Sequence, residues 1–144
     1  MSVTLAKARK IISVALKKAQ DIGLTKPMSV VVLDARAAVK AFESQDGSST
    51  LRFKVAFGKA NGAIALGIGS RAIFERAKTE PFFVQSVNAL AGGDLVPVPG
   101  GVLIRDRKGM IVGAVGVTGD TSANDEICAV AGIEAAGFQA DTGG

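Results

Sequence analysis

The sequence contains no histidine, no tryptophan and no tyrosine, and a single cysteine, among its 144 residues. Histidine is the commonest metal ligand and the side chain that titrates nearest neutral pH. Its absence excludes serine–histidine and cysteine–histidine nucleophile pairs, histidine-based zinc centres and histidine-ligated haem. Acid–base chemistry here must therefore run on carboxylates, lysines or the one thiol. A lone Cys128 excludes an internal disulfide and any multi-cysteine cluster. Lacking Trp and Tyr, the chain also lacks most of the stacking platforms that single-strand nucleic-acid binders use. Long apolar runs are missing too: stretches such as Val30–Leu33 stop well short of the ~20 residues a membrane helix needs. The charge is close to balanced. Seventeen basic and thirteen acidic residues leave +4, and no Lys/Arg block exceeds two residues, which argues against a nucleic-acid partner. The first residues run straight into alternating cationic and apolar side chains, without the apolar core of a secretory leader, so the expected compartment is the cytoplasm.

What is present is the balance of an ordinary globule, 48% hydrophobic and 21% charged, and the length predicts one domain over residues 1–144. Residues 4–22 place Leu5, Ala8, Ile12, Ala15, Leu16, Ala19 and Ile22 at helical spacing, with Lys7, Arg9, Lys10, Lys17 and Lys18 on the solvated face. Gly23 stands where a left-handed helix cap belongs. Ser29–Asp34 reads as a buried strand with Ala37–Glu43 as its hairpin partner, because β-branched residues crowd both faces of the first segment. Thr50–Leu66 returns to helical spacing but is rich in small residues, Gly58, Ala60, Gly62, Ala63 and Ala65. Each helix glycine costs about 1 kcal/mol against alanine, so something must approach this helix closely, either a neighbouring backbone or a ligand. Ser70–Ala77 predicts a short helix, and Phe82–Ala91 a helical or irregular segment begun by Pro81. Leu95–Gly101 is too proline-rich for a central strand. Val102–Asp106 and Met110–Val117 form a second hairpin, and a capping box at Ser122–Asp125 opens a last helix that ends near Ala136. Gln139–Gly144 reads as a frayed tail. Hairpins imply antiparallel pairing, so the reading is an α+β domain with helices packed on one antiparallel sheet.

Five residues form the candidate site. Lys59, among small residues on its helix, offers either a sheltered cation for an anionic ligand or a stem lying along apolar surface. Gly100 and Gly101 offer backbone N–H groups to a carboxylate or phosphate, or simply a tight turn. Asp125 is accounted for by capping and the helix dipole. Glu126 is less constrained, a candidate base or a partner for Lys59. Asp34 reads as a turn-former, Cys128 as a small core residue, and Phe82 and Phe83 as pointing different ways, one inward and one toward a partner or pocket. No metal site is expected.

Five stretches taken together resemble the GlcG-like family, which also occurs as haem-binding sensor components and as the C-terminal domain of PduO-type cobalamin adenosyltransferases. These stretches are the first helix, Val30–Asp34 leading to Ala41 and Phe42, the pair Lys59 and Ala60, Leu95–Val102, and Ile111–Gly119 followed by Asp125 and Glu126. The resemblance implies a profilin-like fold with a five-stranded antiparallel sheet between helices, assembly into homo-oligomers, and binding of haem or a corrinoid. In this chain such a group would be held without a histidine. The leading expectation is a small-molecule-binding protein of this family. The alternative is a small enzyme, an isomerase, tautomerase or lyase acting on an oxo-acid, in which Lys59 polarises a carbonyl and Glu126 moves the proton. A purely structural oligomer is the third reading.

Overall fold

Ten elements follow one another in the computed structural model, which describes residues 1–144. They are α1 (Leu5–Asp21), β1 (Ser29–Asp34), β2 (Val39–Ser44), α2 (Arg52–Leu66), α3 (Ser70–Thr79), α4 (Pro81–Leu90), β3 (Gly101–Arg105), β4 (Ile111–Thr118), α5 (Ser122–Ala135) and β5 (Gln139–Asp141). The strands form one sheet in the order β2-β1-β4-β3-β5, antiparallel throughout. The expected α+β architecture, a five-stranded antiparallel sheet flanked by helices, is what the chain adopts.

The β-branched run of β1 is explained by two-sided burial. Val30 and Val32 join Val102, Ile104, Val115 and Val117 under α1 and α5. Val31 and Leu33 face the other way, with Leu103 and Ala114, under Ala56, Ala60 and Ala63 of α2. Burying one such aliphatic side chain contributes roughly 1.5–3 kcal/mol, so both helix layers are held by the same central strands. In α1 the buried residues are Ala8, Ile11, Ile12, Ala15 and Ala19, whereas Leu5 and Ile22 remain 44% and 38% exposed at the helix ends. Thr4 caps α1 by accepting from the Lys7 amide, and Gly23 takes the left-handed conformation (φ +81°) expected of it.

The small residues of α2 are accounted for by neighbouring protein. A side chain at Gly116 of β4 would collide with the Ala56 carbonyl, so helix and strand touch backbone to backbone. Gly58 and Gly62 receive Val96 and Leu95, where an added Cβ would lie 2.6 Å from Val96 Cγ2 and 2.9 Å from Leu95 Cγ. Asp34 forms a turn, its Oδ1 accepting from the amides of Arg36 and Ala38. The segment begun by Pro81 is a regular helix, α4, and rests on α3 through the small cluster of Ile73, Val84 and Leu95. Phe82 on α4 is 82% exposed, while Phe83 is 36% exposed beneath the Arg76 guanidinium. No helix is long and apolar enough to cross a membrane.

Two local expectations are corrected. Gln139–Asp141 is not frayed: it pairs with the free edge of β3, and Asp141 accepts from Arg105 Nε at 2.8 Å. The cap of α5 is Thr121, whose hydroxyl accepts from the Asn124 amide, one residue before the capping box read from the sequence. Asp125 is therefore not the capping-box partner of Ser122: one of its oxygens accepts from the Asp120 amide just ahead of the cap, and the other is used elsewhere.

Candidate functional site

Lys59 lies midway along α2, and its stem runs to the end of the sheet where β3 begins and β4 finishes. There Nζ donates to the Val117 carbonyl at 2.9 Å and to Asp125 Oδ2 at 3.1 Å. The other carboxylate oxygen, Oδ1, accepts from the Asp120 amide at 3.0 Å. Lysine and aspartate are 2% and 1% exposed, so the pair is withdrawn from water and links the α2 layer to the α5 layer across the sheet. Burial pushes the Lys59 ammonium down from its usual range against the opposing pull of Asp125, and the nearby Arg52 charge lowers it further. Burial likewise pushes the Asp125 carboxyl up, countered by Lys59 and by the Asp120 amide. A pair of this kind persists because each charge satisfies the other. Removing one partner strands a charge in low dielectric.

Gly100 and Gly101 sit against this lysine. The Gly101 amide donates to Ser70 Oγ at 2.7 Å, and the Gly100 carbonyl accepts from the Val117 amide at 2.9 Å. A Cβ on Gly100, which has φ +118°, would lie 2.9 Å from Lys59 Nζ, and one on Gly101 would strike the Lys59 carbonyl. The space expected here for a ligand is filled by the lysine stem and by main chain, and none of the three surface clefts includes Lys59, Gly100, Gly101 or Asp125.

Glu126 is one residue further along α5 and faces a different direction. It accepts from Arg71 Nε of α3 at 3.0 and 3.2 Å, with the two side chains 14% and 33% exposed. The Arg71 guanidinium is held above its usual range, first by the hydrogen bond it donates to Glu126 and then by the charge of that carboxylate. Lys59 and Glu126 are thus not partners; each has its own ion pair, and the two pairs use adjacent residues of one helix turn. Glu126 also lines a groove of ≈ 350 Å³ between α1 and α5, with Ile127, Val130 and Ala131 as its apolar floor and Lys18 and Glu134 at its rim. The other two clefts are polar: one of ≈ 210 Å³ beside Lys26 and Arg52, and one of ≈ 460 Å³ beside Lys17 and Glu43. Arg71, Lys18 and the apolar groove floor were not singled out from the sequence. Lys18 looked like one more solvated lysine, and Arg71 carries no pattern that points at Glu126. Cys128 is buried, and desolvation pushes its thiol up to about 11, which keeps it protonated and inert at neutral pH.

A family model described as haem degrading protein HbpS-like matches residues 3–134. The chain belongs to the HbpS-like family. No curated protein matches the sequence significantly. Solved structures share the fold. A PduOC–haem complex superposes with a TM-score of 0.83 at 19% identity, covering 96% of this chain and 97% of that one. The Klebsiella pneumoniae protein ORFY gives 0.82 at 21% identity, over 94% and 90% of the two chains. A double mutant of HbpS from Streptomyces reticuli gives 0.77 at 23% identity, over 93% and 86%. At these identities the likeness establishes the HbpS-like fold and leaves the binding chemistry to the residues of this chain.

Proposed function

We propose that this HbpS-like protein binds haem, and that it does so in the groove between α1 and α5. The observation that carries the reading is that this groove alone joins an apolar floor to charged residues at its edge, Lys18, Glu126 and Glu134. A porphyrin is a flat apolar plate with two carboxylates on one side, and ligand sites of this kind are mostly apolar with a few placed polar groups. Ile127, Val130 and Ala131 suit the plate, and Lys18 suits a propionate. Haem iron accepts oxygen ligands from protein as well as imidazole or sulfur, so a carboxylate of Glu126 or Glu134 meets the chemistry in a chain without histidine. The buried Cys128 thiol does not. Bound haem would bring iron redox chemistry; the chain's own residues supply the apolar bed, the cation for the propionate and the carboxylates. Of the two tetrapyrroles expected from the sequence, haem is the one held in the PduOC–haem complex that shares this fold.

A groove of ≈ 350 Å³ on one chain covers one face of the plate, and Ile127 at its floor is 43% exposed. A second copy of the chain closing over the groove fits both facts, which keeps the homo-oligomer in the proposal. The test is a haemin titration of the purified protein followed in the Soret band. Saturable stoichiometric binding is expected. Val130→Glu, which puts a charge into the floor, should weaken it at least roughly tenfold, the equivalent of about 1.4 kcal/mol. A linear, featureless response, or unchanged affinity in that variant, would remove the reading.

A further inference from the structure

A second cleft, remote in chemistry from the haem groove, lies where the loop before β1 meets the turn before α2. Lys26, Pro27, Gly47, Ser48, Ser49, Arg52 and Gly119 enclose ≈ 210 Å³ there. Its wall holds two cations and two hydroxyls and not one carboxylate, whereas both other clefts include glutamates. Neither cation forms an ion pair within the chain, and the Asp120 carboxylate, next to Gly119, feels the Lys26 charge only at longer range. The ion pairs of the molecule are Lys17–Asp21, Lys59–Asp125, Arg71–Glu126, Arg76–Glu80, Lys78–Glu75 and Arg105–Asp141, and none involves Lys26 or Arg52.

Part of the cleft wall is anchored. Arg52 Nη1 donates to the buried Thr118 hydroxyl at 2.9 Å, which fixes the guanidinium while leaving its other donors free. Ser48 is tied through its hydroxyl to Ser29 Oγ at 3.4 Å, and Ser29 in turn to Ser44 at 3.0 Å. Gly119, with φ +148°, lets the chain after β4 lie against the loop: a Cβ there would sit 2.6 Å from the Pro27 carbonyl. A guanidinium fixed in place, with a second, exposed cation and two hydroxyls around the same concavity, suits a compact multivalent anion, because charge-assisted hydrogen bonds are strong and the guanidinium need not reorganise.

We infer that this cleft binds a phosphate-type oxyanion, either inorganic phosphate or the terminal phosphate of a small metabolite, through Arg52, Lys26 and the Ser48 and Ser49 hydroxyls. Its polar lining makes it unsuitable for haem, so the inference stands independently of the groove between α1 and α5.

Titration by amide-detected NMR at constant ionic strength, with inorganic phosphate in one arm and glycerol phosphate in the other, tests it. Saturable shifts at residues 47–52 and 119 are expected with a Kd at or below about 1 mM. A tighter fit for the ester assigns the site to a phosphorylated metabolite, and equal or weaker binding of the ester assigns it to free phosphate. Lys26 makes no ion pair in the chain, so Lys26→Gln keeps the fold and should weaken binding several-fold. Arg52→Gln, checked for an intact amide spectrum, should abolish it. The inference is overturned by the absence of saturable shifts, by equal shifts from chloride at matched ionic strength, or by unaltered binding in Lys26→Gln.

Discussion

Asp125 and Glu126 are neighbours in sequence, carry the same charge and belong to the same turn of α5. Yet the first is 1% exposed and bonded to a lysine that is itself buried, while the second is 14% exposed and bonded to an arginine on the surface side. One residue of helix rotation separates a strut inside the molecule from a group that faces a groove. The lesson is that a carboxylate's role is set by which layer it faces. A side chain locked between two layers cannot move toward a ligand without exposing an unpaired charge in low dielectric. A side chain at a groove edge can exchange its partner at smaller cost, since an ion pair that reaches solvent strands less charge when it opens than a fully buried one.

The largest effect that would sharpen this contrast is expected at Asp125. Asp125→Ala leaves the Lys59 ammonium buried without a counter-charge, and the cost should be roughly 3–5 kcal/mol, read as a fall in the urea midpoint. The double variant Lys59→Met with Asp125→Ala removes both charges and should be more stable than Asp125→Ala alone, and with Lys59→Met as the other single variant it gives a clear coupling energy in a double-mutant cycle. Additive single effects would show that the two groups do not act as a pair. Glu126→Gln, one residue away, should lower stability by at most about 1 kcal/mol but should alter the Soret spectrum of the haem-loaded protein. A stability loss as large as that of Asp125→Ala would erase the distinction. The smallest expected change is at Cys128, on the buried side two residues further on. With its thiol held near 11, the native protein should resist a thiol-labelling reagent at neutral pH and react only in denaturant. Rapid labelling of the folded chain would show that this side of α5 is open.

The same helix shows how far local pattern can be read. Its existence, its start within a residue and its buried Cys128 followed from spacing and capping chemistry. The identity of the cap did not, because Thr121 and Ser122 are equally suited to it and only the main-chain path chooses between them. Nor did the partner of Lys59. Asp125 lies 66 residues away from it, so nothing local favours it over Glu126. For β5 the obstacle was different: Gln139–Asp141 has no strand alternation of its own and becomes a strand only because β3 presents an unpaired edge and Arg105, held through Nη1 by the Gly109 carbonyl, offers Nε to Asp141. The glycines of α2 signal close approach, but a sequence does not say what approaches, and Gly101 reads only as a backbone donor for an anion or as a tight turn. At Gly101 and Gly116 it is the backbone of α2.

Composition alone determined that this chain performs no imidazole chemistry and builds no cysteine cluster, because those side chains are not there. Periodicity determined the central strands and most helices, because burial on one or both faces leaves its mark on consecutive residues. Only the tertiary structure decided that Lys59 ends against Asp125, that Glu126 borders an apolar groove, and that Lys26 and Arg52 share a cleft without a carboxylate. Those outcomes depend on layers brought together from distant parts of the chain, and the distance between two side chains across a sheet is written in no single stretch of it.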